Sequence, residues 1–258
     1  MPTAPRLVLA RCIAGLAAVM TFASAARASE VRVAVATNFA EVVEKIKPAF
    51  EARTGHRLTL TTGSTGKLYA QIRNGAPLEV LLAADAQTPQ RLVAQGEAVA
   101  ASRFTYALGR LALWSATPGL VGADGAVTLR SGGFRHLAIA NPDLAPFGAA
   151  ARETLRALNA WETLQPKIVY AQNIGHAYSM VASGNAELGL IALSQLSGAG
   201  VAVGGSSWVV PSALHTVIRQ DAVLLERGRD HAGAHAFMAE LKSAQVRKTI
   251  QAFGYMLE

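Results

Sequence analysis

The sequence predicts an α/β protein of two lobes, with parallel or mixed sheets that helices flank and a ligand cleft between the lobes. Apolar runs rich in β-branched residues alternate with amphipathic segments, which is typical of parallel sheets joined by crossover helices. The alternation forms two blocks, and the segments near Leu108 and Pro211 are the natural crossings between them. Two crossings imply that the last segment returns to the first lobe.

The first 28 residues are typical of a cleavable secretory signal. Arg6 and Arg11 precede an apolar segment that starts at Cys12, and Ala26-Arg27-Ala28 is a small-residue cleavage site. The apolar segment is shorter than the roughly 20 residues that a membrane-spanning helix needs. We therefore expect an exported, periplasmic protein. The predicted organisation is a signal at residues 1–28, the first part of lobe 1 at 29–108, lobe 2 at 109–211 and a segment that returns to lobe 1 at 212–258.

The charge and cysteine content of the chain narrow the possible functions. The formal charge is +7, and residues 1–28 contain three of the arginines and no acidic residue, so the mature chain carries about +4. This balance suits an anionic ligand, but the basic residues are too few and too scattered for nucleic acid. Cys12 is the only cysteine and leaves with the signal, so the mature chain has no thiolate for catalysis or metal binding.

The first block begins with the most informative stretch. Val31, Val33 and Val35 predict a buried strand, and apolar residues at three- and four-residue steps up to Phe50 predict a helix. Pro48 is expected to kink or restart that helix. The block continues with two predicted strands and two predicted helices: strands at 57–62 and 79–85, helices at 67–75 and 88–96.

The second block repeats the alternation after a Gly-rich loop at 117–127. A helix is expected near 175–185, and a long amphipathic helix at 237–255 ends the chain. The other predicted elements are strands at 111–115, 135–142, 167–171 and 187–194, a helix at 148–164 and an extended segment at 207–211.

Four loops follow strands and begin helices, and they contain Thr37-Asn38, Ser64, Phe147-Gly148 and residues 173–175. In an open parallel sheet, ligands collect at the carboxyl ends of the strands. Free N–H groups and the positive end of the helix dipole make such positions suitable for an anion. The alternative is that each loop contains only an ordinary cap or turn residue.

The order of four motifs carries a family resemblance that spans nearly the whole mature chain. VAVATNF, TTGSTGKLYAQIRNGAPLEVLLAAD, NPDLAPFGAAARETL and AQNIGHAYSMVASGNAELGLIAL resemble the periplasmic molybdate-binding proteins of ABC importers. The resemblance implies a two-lobed type II solute-binding fold that closes over molybdate or tungstate, with a membrane permease as partner. It also implies a monomer with no enzymatic activity and no cofactor.

The resemblance implies a site made of neutral donors. Matched motif to motif, the oxyanion is held by Thr37, Asn38 and Ser64 in the first lobe and by backbone N–H groups at Phe147 and Ile174 in the second. Asn38, Ser64, Phe147 and Ile174 then contact the metal only through the oxygens of molybdate. Many members have serine at the position of Asn38. A tyrosine ligand also occurs in the family, but Phe147 and Ala192 occupy its two candidate positions here.

Three alternatives remain open at the level of sequence. Sulfate or phosphate could occupy similar loops in the same fold. Phosphate carries a proton near neutral pH and would need an acceptor beside it, and no proposed site residue is acidic. A serine enzyme is the third, because Ser64-Thr65-Gly66-Lys67 is an S-x-x-K motif in which Ser64 would attack and Lys67 would take its proton.

Overall fold

The computed structural model describes Met1 and residues 29–198 and 204–258, which form two lobes around two five-stranded sheets. Apart from Met1, the predicted signal at residues 1–28 lies outside the described residues. Within the described ranges, no helix is both long and apolar enough to cross a membrane. The described strands are, in chain order, β1 (Glu30–Ala36), β2 (Arg57–Gly63), β3 (Val80–Leu82), β4 (Phe104–Gly109), β5 (Leu111–Ser115), β6 (Leu137–Ala140), β7 (Ile168–Ala171), β8 (Leu188–Ala192), β9 (Ser206–Val209) and β10 (Ile218–Leu224).

Helices cover both sheets and bury their apolar faces against them. The described α-helices are α1 (Ala40–Thr54), α2 (Thr65–Arg73), α3 (Gln87–Ala94), α4 (Gly125–Ser131), α5 (Pro146–Ala157), α6 (Trp161–Leu164), α7 (Ile174–Ala182), α8 (Ser194–Ser197), α9 (Ala232–Glu240) and α10 (Ala244–Ala252).

Both sheets are mixed, which confirms the predicted fold class. The first sheet has the order β2-β1-β3-β10-β4, with β1 parallel to β2 and β3, and β10 antiparallel to β3 and β4. The second has the order β7-β6-β8-β5-β9, with β6 parallel to its neighbours and β5 antiparallel to its own. The chain passes from the first sheet to the second at Arg110 and returns through residues 210–217.

Strand β10 is a central strand that the sequence did not reveal. Its polar triplet Arg219, Gln220 and Asp221 resembles a loop, yet Gln220 and Asp221 are buried. Asp221 is tolerated inside because Arg103 Nη1 donates to its Oδ2 at 2.7 Å and Thr105 Oγ1 donates to its Oδ1 at 2.8 Å. The strand β4 and the helix α4, which Asp124 caps, were also not predicted.

Three predicted helices differ from the observed ones. Helix α1 continues through Pro48 without a restart. The helix expected at 148–164 divides into α5 and α6, because Asn159 adopts a left-handed backbone with φ of 55°. The helix expected at 237–255 divides into α9 and α10, and the Ser243 side chain caps α10 by accepting from Val246 N–H.

Candidate anion-binding site

The five residues predicted for the site line one small cavity between the lobes. Thr37, Asn38 and Ser64 come from the first lobe, and Phe147 and Ile174 come from the second. None of the lining residues carries a charge. The complete lining is Ala36, Thr37, Asn38, Gly63, Ser64, Thr65, Ala84, Ala145, Pro146, Phe147, Asn173 and Ile174.

The hydroxyl groups of Thr37 and Ser64 do not cap helices. Thr37 begins a 3-10 turn that ends at Phe39, and Phe39 is the N-cap of α1. Ser64 is the N-cap of α2, yet its side chain accepts no hydrogen bond from the helix. Within the described part of the chain, Thr37 Oγ1 and Ser64 Oγ are buried and have no hydrogen-bond partner. A buried hydroxyl without a partner costs free energy, so both groups are available to a ligand.

The second lobe directs the N-termini of α5 and α7 at the same cavity. The N–H groups of a helix's first turn have no partner inside the helix, and the helix dipole is positive there. Pro146 occupies the first position of α5, which leaves the Phe147 N–H as its first available donor. In α7 the Asn173 side chain caps His176 N–H at 2.9 Å, while Ile174 is the first helical residue.

Asn38 lines the cavity, but its amide nitrogen is already bonded within the protein. It is buried, and its Nδ2 donates to Gln220 Oε1 at 2.7 Å and to Tyr255 OH at 3.1 Å. The Asn38 carbonyl oxygen accepts from Tyr255 OH at 2.7 Å and from Ser194 Oγ at 3.2 Å. Ser194 belongs to the second lobe, so this cluster also joins the lobes.

Neither candidate position for the tyrosine of the family supplies a hydroxyl group. The Phe147 ring is buried in the second-lobe core, and its Cζ lies 2.9 Å from the point where a Cβ on Gly109 would be. Ala192 lies at the end of β8 outside the cavity lining, and its N–H donates to Gln195 Oε1 at 3.0 Å. From these two positions the second lobe can offer only backbone donors.

The environment of Ser64 does not favour a nucleophile. Ser64 Oγ contacts no base among the described residues, and the Lys67 ammonium donates to Gln172 Oε1 at 3.1 Å. Elsewhere in residues 29–198 and 204–258, no group of three or more His, Cys, Asp or Glu side chains is placed to hold a metal ion.

Burial shifts the pKa values of three ionisable groups near the cavity toward retention of the proton. Burial raises the pKa of Asp85, and the nearby Asp221 raises it further. Burial is also the main reason that the pKa values of Tyr106 and Tyr255 lie well above the ordinary value for tyrosine. Both phenols therefore remain proton donors throughout the physiological range.

Sequence reasoning missed the residues behind the cavity and those that let the lobes meet. Gln220 and Tyr255 contact Asn38, and Tyr106 contacts Gln220, but all three lie far from Asn38 in the sequence and no local motif marks them. Gly66 and Gly175 are the second residues of α2 and α7, where a glycine is a recognisable signal of close approach. Gly66 N–H donates to Leu144 O of the other lobe at 2.9 Å, and a Cβ on Gly175 would lie 2.6 Å from Thr37 Cγ2.

Comparisons with known proteins agree with this architecture. The model of the bacterial extracellular solute-binding protein family matches residues 31–256. The molybdate-binding protein ModA of Azotobacter vinelandii is 48% identical over 97% of this chain and 98% of that protein, and that of Rhodobacter capsulatus is 46% identical over 94% of each. The solved periplasmic molybdate-binding protein of Azotobacter vinelandii superposes with a TM-score of 0.85 at 42% identity, covering 88% of this chain and 99% of that one. With its two-lobed fold and its matched length, the chain belongs to the bacterial extracellular solute-binding protein family.

Proposed function

We propose that this chain captures molybdate, and also tungstate, and delivers it to the membrane permease of an ABC importer. One observation carries the proposal: two buried hydroxyl groups without partners, Thr37 Oγ1 and Ser64 Oγ, face the same uncharged cavity as the N-termini of α5 and α7. Hydrogen bonds to an ionised acceptor are stronger than neutral ones, so neutral donors can hold a dianion. The two molybdate-binding relatives at 46–48% identity supply the choice of anion.

In this proposal the anion is held by both lobes at once. Thr37, Asn38 and Ser64 bind it from the first lobe, and the N–H groups of Phe147 and Ile174 bind it from the second. Because only the closed arrangement presents both sets, the anion shifts the population toward closure. Closure should decrease the radius of gyration measured by small-angle X-ray scattering when molybdate is added, and an unchanged radius would contradict it.

The protonation state of the ligand separates molybdate from phosphate. An anion without a proton needs only donors, and hydrogenphosphate needs an acceptor as well. Among the residues that the structure describes, none that lines the cavity has a carboxylate. The donor set therefore favours molybdate, tungstate or sulfate over phosphate, and the size of the closed cavity distinguishes sulfate from the larger anions.

The cellular setting follows from the same proposal. We infer that the chain is exported by a signal at residues 1–28, acts in the periplasm as a monomer and binds no nucleic acid. We also propose lobe boundaries of 29–108 with 212–258 for the first lobe and 109–211 for the second, since β1–β4 and β10 share one sheet and β5–β9 share the other.

The proposal is tested by thermal unfolding of the chain from Ser29 onward with molybdate, tungstate, sulfate and phosphate. A ligand at 100 times its dissociation constant adds about 2.7 kcal/mol to the free energy of unfolding. Molybdate and tungstate should raise the melting temperature strongly, and phosphate should not. A shift with sulfate or phosphate but not molybdate would change the assigned ligand, and no shift with any oxyanion would contradict an anion-binding function.

A further inference from the structure

The amide group of Gln220, which lies behind Asn38 and the anion cavity, is only half satisfied. Gln220 is completely buried in β10, and its Nε2 has no hydrogen-bond partner within the described residues. Its Oε1 faces two donors, Asn38 Nδ2 at 2.7 Å and Tyr106 OH at 3.1 Å. A buried amide nitrogen without an acceptor costs free energy, so a native arrangement that leaves one is unusual.

The hydroxyl of Tyr106 cannot serve both of its neighbours as a donor. It lies 2.9 Å from the carbonyl oxygen of Ala83 and 3.1 Å from Gln220 Oε1, and both of these atoms are acceptors. A phenol has a single hydrogen to donate, and its pKa here is raised by burial, so the group stays protonated. If Tyr106 donates to Ala83, its own oxygen requires a donor from Gln220.

A half-turn of two amide groups satisfies these requirements together. When the Gln220 amide turns by 180°, its Nε2 donates one hydrogen to Tyr106 OH and the other toward Asn38. Asn38 must then turn as well, so that its Oδ1 accepts this hydrogen bond. Because Oδ1 then faces Tyr255 OH in place of Nδ2, the Tyr255 hydroxyl donates to Oδ1, and the Asn38 carbonyl oxygen keeps the hydrogen bond from Ser194 Oγ. The nitrogen and oxygen of an amide are nearly equal in size, so the turn leaves the packing unchanged.

The turn also changes what Asn38 presents to the cavity. With Nδ2 directed at Gln220 and Tyr255, Oδ1 is the amide atom that remains for the cavity, and an oxygen would repel an anion. After the turn, Nδ2 is released toward the cavity and can donate to an anion oxygen. The unpartnered position is then occupied by Gln220 Oε1, and an oxygen without a partner is better tolerated in proteins than an N–H.

We propose that Gln220 is a positioning residue for the anion site, whose amide turns together with that of Asn38 so that Asn38 Nδ2 faces a fully deprotonated oxyanion. The inference deepens the proposed function and rests on it. Gln220 does not touch the anion. Its role is to decide whether Asn38 offers a donor, which suits molybdate, or an acceptor, which would suit a protonated anion such as hydrogenphosphate.

The test is a calorimetric titration of wild type and Gln220→Met with molybdate, together with NMR of the side-chain amides. In wild type, the side-chain amide signal of Asn38, identified by its loss in Asn38→Ala, should shift on addition of molybdate. In Gln220→Met the affinity should fall about tenfold and that signal should no longer shift, because the Tyr255 oxygen keeps Asn38 Nδ2 away from the cavity. The backbone signals of Phe147 and Ile174 should still respond.

A second variant tests the proton argument without altering Gln220. Tyr106→Phe removes the hydroxyl that requires a donor from Gln220, and it should weaken molybdate binding although Tyr106 does not line the cavity. Thr154→Val is the control, because it removes another buried hydroxyl that bonds only within α5, and it should leave the affinity unchanged.

The outcomes separate this inference from the proposed function. No binding of molybdate by wild type would overturn the proposed function and this inference with it. Binding by wild type, with the same affinity and the same Asn38 shift in Gln220→Met, would overturn the positioning role and leave the proposed function standing. Unchanged affinity in Tyr106→Phe would overturn the proton argument on which the turn depends.

Discussion

At the scale of single residues, the site is defined by polar groups left without partners. Most buried polar groups in proteins are hydrogen-bonded, so two unpartnered hydroxyl groups in one cavity are exceptional. Ser64 is the N-cap of α2, a position where a serine ordinarily bonds to the first turn of the helix, and Thr37 lies in the 3-10 turn before α1. Neither side chain forms a capping hydrogen bond, so the two oxygens remain for a ligand.

Replacement of Ser64 by alanine should affect binding and stability in opposite directions. Ser64→Ala removes one hydrogen bond to the anion, which should weaken molybdate binding by about 1.5–3 kcal/mol. Because the lost hydroxyl has no partner among residues 29–198 and 204–258, the free energy of unfolding without ligand should stay the same or rise. Calorimetry and urea unfolding measure the two effects, with the exposed Ser131→Ala as control. Unchanged affinity would remove Ser64 from the site.

The carboxyl group of Asp85 should make stability depend on pH. Burial raises its folded-state pKa, so the folded protein holds the proton over a pH range in which the unfolded chain has released it. Wild-type stability should therefore fall, relative to Asp85→Asn, as the pH rises above the ordinary value of 3.8 and through the raised pKa. Urea unfolding of both proteins between pH 4 and about 8 measures this difference, and a difference independent of pH would contradict the prediction.

Sequence reasoning identified site residues that follow a strand and begin a helix, because that pattern is local. Ser64 is such a residue, since the same few positions contain the strand end, the hydroxyl and the helix start. Gln220 could not be found in this way. Its contact with Asn38 joins residues 182 positions apart and depends on the return of the chain to the first sheet.

At the scale of secondary structure, glycines at two helix starts let the lobes approach each other. Gly66 lies in the first turn of α2 beside Leu144, and Gly175 lies in the first turn of α7 against the Thr37 methyl group. A Cβ on Gly66 would lie 3.0 Å from Leu144 O, which is a tight contact, and a Cβ on Gly175 would overlap the Thr37 methyl group. The site therefore depends on the absence of two Cβ atoms as much as on the presence of donors.

The variant Gly175→Ala should weaken binding by holding the lobes apart. Its Cβ would lie 2.6 Å from Thr37 Cγ2, so closure would require one helix to move. We expect at least a tenfold loss of molybdate affinity, about 1.4 kcal/mol, without loss of stability. Gly122→Ala is the matched control, because a Cβ there meets no atom within 4 Å.

A second substitution tests whether Gly175 acts through its contact with the Thr37 methyl group. Thr37→Ser keeps the hydroxyl and removes the methyl group that the new Cβ would meet, so it should restore binding in the Gly175→Ala background. If Gly175→Ala binds molybdate like wild type, or if Thr37→Ser gives no recovery, the glycine does not act through this contact.

The ends of helices and strands were predicted correctly where the hydrophobic periodicity stops at a glycine or another helix-breaking residue. They were missed where a single backbone angle ends the element. The break between α5 and α6 depends on Asn159 entering the left-handed region, which asparagine tolerates but does not require. Strand β10 was missed for another reason. Its buried Asp221 is acceptable only because two side chains donate hydrogen bonds to it: Arg103, which directly precedes β4, and Thr105, which lies in β4.

At the scale of the whole molecule, the second lobe is an insertion within the first. All strands of the second sheet lie between residues 111 and 209, whereas the first sheet needs β10 from near the end of the chain to fill the place between β3 and β4. The alternation of strands and helices predicted two lobes and the return of the chain. It could not predict which strand occupies the centre of the first sheet, because that depends on contacts between distant residues.

This nesting has a consequence for the order of folding. Pairing of Gly109 with Ile218 closes a loop of about 110 residues in the unfolded chain, but pairing of Ala112 with Val209 in the second sheet shortens the effective loop to little more than ten. By the logarithmic dependence on loop length, the entropic cost of joining β4 to β10 falls by about 2 kcal/mol. The inserted lobe therefore acts as a preformed turn for the lobe that surrounds it.

In pulse-labelling hydrogen exchange, the amides of β5 and β9 should be protected before those of β10. The destabilising core change Leu190→Ala in β8 should delay the protection of both sets of amides. Earlier protection of β10 would contradict this order of folding.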